Sequence, residues 1–465
     1  MIPRLIARTG RAAGPSPAGF DRRLIAPMVL GSVLNPVNSS MIAVALVPIG
    51  IAFGAPPAET VWLVSALYLA TAVGQPVIGR LVDTYGPRRL YLTGTALVGV
   101  AGLLGALAPS LGALIAARVL LGFGTSAAYP AAMRLTRAEA ERTGQDSPAG
   151  VLAALAVAAQ TVAVVGPALG GLLIGFGGWR AVFTVNVPLS AACLVLGVRR
   201  LPRTAPPRGG RRGVDLPGMA LFTVMLVALM LFLTAPRTDR WYLPLLAAAA
   251  AAAFALRELR SRDPFIDLRV LGGNGPLLAT YLRQLLAYTT SYAFMYGYTQ
   301  WLEQGRGLSA AKAGLVLLPL SATALAVSAL TGRREAVRVK LLTGSALQIA
   351  GSATLLLVRA DSPAWLLLGV GALLGVPQGL VGLAAQSALY RQADPERIAS
   401  AAGLLRTFMY LGALGASAAT AAFYPHRADT AGLHGLALFM LAGSALLLAT
   451  TVPDRSLGRL TSGKA

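Results

Sequence analysis

Three arginines, Arg118, Arg283 and Arg406, stand inside long apolar stretches of this chain, and no acidic residue stands in the middle of any such stretch. A guanidinium keeps its charge, so within a bilayer it must snorkel to an interface, bond backbone carbonyls or face a hydrated cavity. Arg283 and Arg406 lie about two turns from an expected helix end, so snorkelling and a cavity position are both open to them. A cavity lined by such cations without carboxylates would favour anionic or neutral ligands. A second constellation is Tyr281, Tyr288, Tyr292 and Tyr296, whose spacing puts four rings on one helical face. That face suits either the wall of a pocket for a planar or amphipathic ligand, or packing against a neighbour. Gln160 is a further polar candidate within an apolar stretch, as are Gln75, Tyr129, Gln348, Gln378 and Gln386. The single cysteine, Cys193, excludes an intrachain disulfide, and the two histidines, His426 and His434, fall near expected helix ends. No catalytic set and no metal-ligand set emerges.

Helices that cross a bilayer must position these residues. Of 465 residues, 55% are hydrophobic and 12% charged, against about 25% charged in soluble domains. Apolar blocks of roughly 20 residues, the length a bilayer requires, recur throughout. They predict an all-α polytopic membrane protein with fourteen spans, at 24–51, 60–82, 90–110, 112–134, 148–176, 180–200, 216–235, 241–257, 276–302, 308–332, 338–358, 362–386, 398–424 and 431–452. Lys and Arg crowd into alternate gaps and both tails, the positive-inside pattern, which predicts a protein of the cell (inner) membrane with both termini cytoplasmic. The same pattern accounts for the net charge of +22. Basic loops face anionic lipid, and the aromatic–basic interleaving that single-strand nucleic-acid binding needs is missing. Residues 1–23 lack the apolar core and small-residue cleavage site of a signal peptide and read as a cytoplasmic tail, as do residues 453–465.

The gaps also divide the chain. Residues 201–215 read as a basic cytoplasmic linker and 258–275 as a cytoplasmic loop. Between them, residues 216–257 hold the two least polar spans and read as an inserted helix pair. Six helices remain in 24–200 and six in 276–452. A short repeat agrees: Arg88-Arg89-Leu90-Tyr91-Leu92-Thr93-Gly94 enters span 3 and Arg338-Val339-Lys340-Leu341-Leu342-Thr343-Gly344 enters span 11, equivalent positions in two six-helix halves. Parallel halves with a site between them are a transporter architecture.

Three motifs could gate such a site. Gly79-Arg80-Leu81-Val82-Asp83-Thr84-Tyr85-Gly86-Pro87-Arg88-Arg89 fills the gap between spans 2 and 3. Gly79 and Gly86 permit a tight turn and close helix approach, and Asp83 can accept from helix N-termini or pair with Arg88 or Arg89. Arg118 opens Arg118-Val119-Leu120-Leu121-Gly122-Phe123-Gly124 and must face the bundle interior. Span 5 carries Gly166-Pro167-Ala168-Leu169-Gly170-Gly171, where the proline bends the helix and the glycines admit a close neighbour. In order, these resemble the G-x-L-x-D-R-x-G-R-R loop, the R-x-x-Q-G motif and the antiporter-type G-P-x-x-G-G motif of the major facilitator superfamily. Trp179-Arg180, Asn186-Val187-Pro188, Pro264-Phe265-Ile266-Asp267-Leu268-Arg269, Ala402-Gly403-Leu404-Leu405 and Leu411-Gly412-Ala413-Leu414-Gly415 are similar to segments of its fourteen-helix drug/proton antiporters of the EmrB/QacA multidrug efflux type.

The resemblance implies a major facilitator fold of two six-helix bundles plus the inserted pair. It implies secondary active export of a small amphipathic compound or drug by alternating access and proton antiport. Small-molecule substrate, protons and lipid bilayer are the implied partners, with no cofactor, no enzymatic activity and a monomeric state. Arg118 would join the proton-coupling network or anchor to neighbouring carbonyls. Thr84 and Leu121 depart from the usual basic residue and glutamine. Aligned on Val44-Ala45-Leu46, Asn38 stands where relatives carry a helix 1 aspartate, with Asn35, Ser39 and Ser40 beside it. An amide does not titrate. Asn35 and Asn38 therefore read as substrate-binding candidates with Gln160, Arg283, Tyr288, Tyr292 and Arg406. Export of an anionic or lipid-like metabolite with atypical coupling is the alternative, and a transporter-derived receptor or scaffold a third reading.

Overall fold

Long apolar runs become helices because backbone N–H and C=O groups deprived of water must pair within their own segment. The computed structural model describes residues 20–459 except 56, 61, 145–148, 204–214, 235–237, 262, 309, 335, 425–426 and 455. Residues 1–19 and 460–465 of the tails, most of the 201–215 linker, His426 and the side chain of Pro167 lie outside the described residues. The described residues form helices joined by short turns, with no strand among them. Local chemistry marks the ends. Ser110, Asn274 and Asp429 cap the helices that follow by accepting from Ala113 N–H (3.3 Å), Leu277 N–H (3.1 Å) and Gly432 N–H (2.7 Å). Between Trp62–Tyr85 and Pro87–Ala106 the chain reverses at Gly86, whose φ of 92° excludes a side chain there.

Among the described residues, twelve helices are long and apolar enough to cross a membrane. The expected fourteen spans are thus not supported on that criterion. The two shortfalls are expected spans 9 and 11, where the chain forms the helices Gly275–Gln300 and Val337–Leu355. They carry too much polarity, including Arg283, Gln284 and several tyrosines in the first, and Arg338, Lys340 and Gln348 in the second. Expected span 4 also differs. The helical segment Leu111–Thr143 runs beyond 134 and is interrupted at Ser126 and Ala127. The outer surface is apolar: Ile51, Phe176, Leu330 and Trp365 are each at least 72% exposed, a surface suited to lipid rather than water.

Packing brings sequence-distant helices together. Ile25–Phe53 packs along Ala149–Gly177, and Ala310–Thr331 along Ala364–Gln392. One buried apolar cluster is drawn almost entirely from residues 24–201, and another from 293–440. A third joins the two parts through Tyr129, Met133, Ile398 and Leu405, and also holds Phe222 and Phe254 of the helices Leu216–Thr234 and Tyr242–Arg260. The short repeat has a structural counterpart. Arg88 donates to Val198 O (2.9 Å) near the end of the Ala181–Arg200 helical segment, and Arg338 donates to Val452 O (3.2 Å) at the end of Thr430–Thr451.

Candidate functional site

Two helices, Trp62–Tyr85 and Ile398–Phe423, cross closely enough that glycine is required at the contact. A Cβ on Gly79 would collide with Ala399 O, and one on Gly403 with Gln75 O. Thr407 donates its hydroxyl to Ala72 O across the same crossing (2.7 Å). At its end, buried Asp83 accepts from Ala399 N–H (3.2 Å), Ser400 N–H (2.8 Å) and the Ser400 hydroxyl (2.6 Å). Of the two fates open to Asp83, the helix N-terminus is the one taken. Arg88 instead reaches Val198 O, and Arg89 is exposed. Nearby Arg134 donates to Pro395 O (2.6 Å), adding a second tie.

Beyond this latch lies a cavity of about 390 Å³. It brings together Asn35, Gln160, Tyr288, Tyr292 and Arg406, five of the seven substrate-binding candidates, along with Gln75, Tyr129 and Gln378. Arg406 is the one charged group among its described lining residues. Its guanidinium carbon lies 4.3 Å from the Tyr129 ring centroid, and its Nη1 is 3.6 Å from Met409 Sδ. A cation held by an aromatic face keeps its charge available to an incoming anion. Opposite, Asn35 donates to Thr125 (3.1 Å) and Thr71 (3.4 Å) and accepts from the Tyr410 hydroxyl (3.2 Å). Tyr68 and Tyr410 complete an aromatic wall, 5.7 Å between ring centroids. Sequence reasoning passed over both. The available signal was spacing: Tyr410 is one turn from Arg406, and Tyr68 two turns from Gln75.

Two candidates do not reach the cavity. Asn38 turns inward and exchanges amide hydrogen bonds with Asn186 (2.7 and 2.9 Å), both residues being almost fully buried. A reciprocal amide pair satisfies both groups and leaves nothing for a ligand. Arg283 is drawn to Asp454 (2.7 Å) and Thr450 O (2.5 Å) past the end of Thr430–Thr451, so it does not contribute to a positive cavity. The tyrosine face divides as well. Tyr281 stacks on Phe408 at 5.2 Å and bonds Ala401 O, while Tyr296 rests on Tyr292 at 5.5 Å.

Arg118 faces the interior as expected, fully buried, donating to Leu63 O (2.8 Å) and Asn38 O (3.0 Å). These are carbonyl anchors. Gly166 and Gly170 meet the Ile25–Phe53 helix at Ser40 and Met41, where a Cβ would intrude. Gly171 faces open space, so it does not serve close packing.

Residues 28–417 match the Major Facilitator Superfamily. The chain is 32% identical over 435 residues to the MFS-type transporter YwoD of Bacillus subtilis, covering 90% of this chain and 94% of that one. It is 31% identical over 433 residues to the cephamycin export protein CmcT of Amycolatopsis lactamdurans, covering 87% of each. The human organic anion transporter MFSD10 (TETRAN) superposes with a TM-score of 0.65 at 16% identity, over 92% of this chain and 99% of that one, which speaks to the fold alone.

Proposed function

From this chain's membership of the major facilitator superfamily, a family of multi-pass membrane transporters, we propose that it exports a small amphipathic compound by alternating access, through the cavity between Asn35 and Arg406. The observation that carries this reading is a polar, aromatic cavity lined by the same two helices, Trp62–Tyr85 and Ile398–Phe423, that the Asp83–Ser400 latch ties together. In the topology with both termini cytoplasmic, the latched side faces the cytoplasm, and the cavity belongs to the outward-facing half of the cycle. The direction of transport follows the resemblance of the Gly166–Gly171 motif to antiporters and the export role in the name of the cephamycin export protein.

The helices Gly275–Gln300 and Val337–Leu355 cross the bilayer despite their polarity, shielded by the helices packed around them, which gives the fourteen-helix arrangement of the EmrB/QacA type. Residues 24–200 and 276–452 form the two bundles, with 216–257 inserted. The protein works as a monomer in the cell membrane and couples export to proton entry. Inside-out vesicles carrying a pH gradient test this. Substrate accumulation with matching proton efflux is expected, and accumulation that ignores the gradient would remove the antiport component.

A second reading is favoured by one observation. Arg406 lines the cavity and no carboxylate among the described lining residues accompanies it. The substrate in this reading bears a negative charge or none, unlike the lipophilic cations that a carboxylate-lined pump would draw.

A further inference from the structure

Asp215 and Glu258 lie where the two inserted helices meet, and both are buried, at 7% and 1% exposure. A Cβ on Gly218 would collide with Asp215 Oδ2 and Glu258 Oε1 alike, so these two oxygens converge on the bare face of that glycine. Neither accepts a hydrogen bond from a donor among the described residues. The partner oxygens, by contrast, are served. Asp215 Oδ1 accepts from Arg257 (2.7 and 2.9 Å) and from Gly218 N–H (3.0 Å), and Glu258 Oε2 accepts from Ile266 N–H (3.1 Å).

Two buried carboxylates whose bare oxygens face each other cannot both be charged without strong repulsion. One proton between them removes the repulsion and supplies the missing donor, since a protonated carboxyl carries an O–H. We propose that Asp215 and Glu258 form a proton-binding site, holding one proton between Glu258 Oε1 and Asp215 Oδ2. The proton resides on Glu258, because Asp215 has the Arg257 cation and a helix N-terminal N–H to hold its negative charge. Burial pushes the Asp215 carboxyl up, but the bonds from Arg257 and Gly218 outweigh it and hold the group below the usual carboxylate range.

Among the described residues, the charged groups around the pair are few. Arg257 flanks it from the Tyr242–Arg260 helix, whose Arg260 is exposed. On the segment that follows, Asp263 is exposed, Arg269 bonds Leu259 O, and Asp267 pairs with Arg397 at 3.6 Å. That last pair gives the site its reach. Glu258 holds Ile266. Phe265 completes a ring cluster with Phe222 and Phe254, and Asp267 extends to the start of the Ile398–Phe423 helix that Asp83 holds. A cavity of about 370 Å³ beside this segment leaves it room to shift. On release, the Glu258 O–H bond breaks and the proton passes to water. Two like charges then face each other at Gly218, loosening the inserted helices from the latch.

The test is infrared difference spectroscopy on the full-length protein in lipid vesicles, titrated with acid and base and with no transport substrate. The wild type is expected to show a protonated-carboxyl band at neutral pH that disappears at high pH. Glu258→Gln removes the band while its amide still donates to Asp215, so the variant stays folded. Asp215→Asn removes it too, by giving Glu258 a donor and leaving it ionised. A wild type without the band, or a band that persists in Glu258→Gln, overturns the proposal. The proposal supplies the proton site that the antiport reading lacks in the cavity. Because the readout needs no substrate, its failure leaves the export reading standing, and failed export leaves the proton site standing.

Discussion

Arg406 lays its guanidinium over the ring of Tyr129, 4.3 Å from the ring centroid, so a charge on the Ile398–Phe423 helix rests on an aromatic face from the Leu111–Thr143 segment. The Tyr129 hydroxyl lies beside the same cation but makes no hydrogen bond of ordinary geometry among the described residues. The ring face is the contact that positions the cation. Tyr129→Phe is expected to leave affinity for an anionic ligand within about twofold, whereas Tyr129→Leu loses about 1 kcal/mol, the scale of a partly desolvated cation–π contact. Ligand-induced shifts in melting temperature of the detergent-solubilised protein distinguish the two.

Asp83 supplies three acceptor contacts to one helix N-terminus, and capping of this kind contributes about 1–2 kcal/mol. Asp83→Ala should therefore open the latched side more often, roughly five- to thirtyfold by that energy. Cys193 is buried, so a thiol introduced by Ala401→Cys reports alone. Faster labelling is expected in Asp83→Ala, with Asp83→Asn intermediate. Equal rates in all three backgrounds would show that the carboxylate does not hold the latch.

Asn38 and Asn186 form a closed amide pair away from the cavity. Asn38→Ala strands the buried Asn186 amide, an expected loss of about 1–3 kcal/mol seen as a lower melting temperature. Ligand affinity should not change. The double variant with Asn186→Ala should cost less than the sum of the single ones, because both singles break the same bonds.

Arg283 and Asp454 form an ion pair with side-chain exposures of 2% and 14%. Burial pushes the Asp454 carboxyl up, but hydrogen bonds from Ser456 and Arg283, with the charge of Arg283, outweigh it and hold the group below the usual range. A depressed carboxyl stabilises the fold above its unfolded pKa of about 3.9 and loses that stabilisation as pH falls through the folded value. Acid melting curves should show this loss in the wild type and not in Asp454→Asn. Arg283→Ala, which leaves the half-buried Asp454 carboxylate with only its Ser456 hydrogen bonds, is expected to cost about 1–3 kcal/mol without altering selectivity between anionic and neutral substrates.

Helix positions were legible because apolar length is a local property, and the Gly79–Arg89 loop because its chemistry is contained in eleven residues. The cavity was legible in part: Asn35, Gln160, Tyr288, Tyr292 and Arg406 are polar or aromatic residues that an apolar helix would not otherwise tolerate. Long-range partners were not legible. Asn186 lies 148 residues from Asn38, and Asp454 lies 171 from Arg283, and each redirects a side chain that sequence alone leaves free. The burial of Glu258 was not legible for a different reason. Ending span 8 at 257 placed it in a loop, whereas the helix runs to Arg260 and buries it. The fourteen-span count stumbled on polarity: Gly275–Gln300 and Val337–Leu355 keep their polar groups by burying them among other helices, as Arg283 and Gln348 do.

The most direct test of the account is export by inside-out vesicles of a carboxylated fluorescent dye and of its uncharged methyl ester, in the wild type and in Arg406→Ala. Losing a charge-assisted hydrogen bond of about 2 kcal/mol should weaken handling of the acid roughly thirtyfold and that of the ester little. Equal export of the acid by wild type and variant would contradict the assignment of the cavity around Arg406 as the transport site.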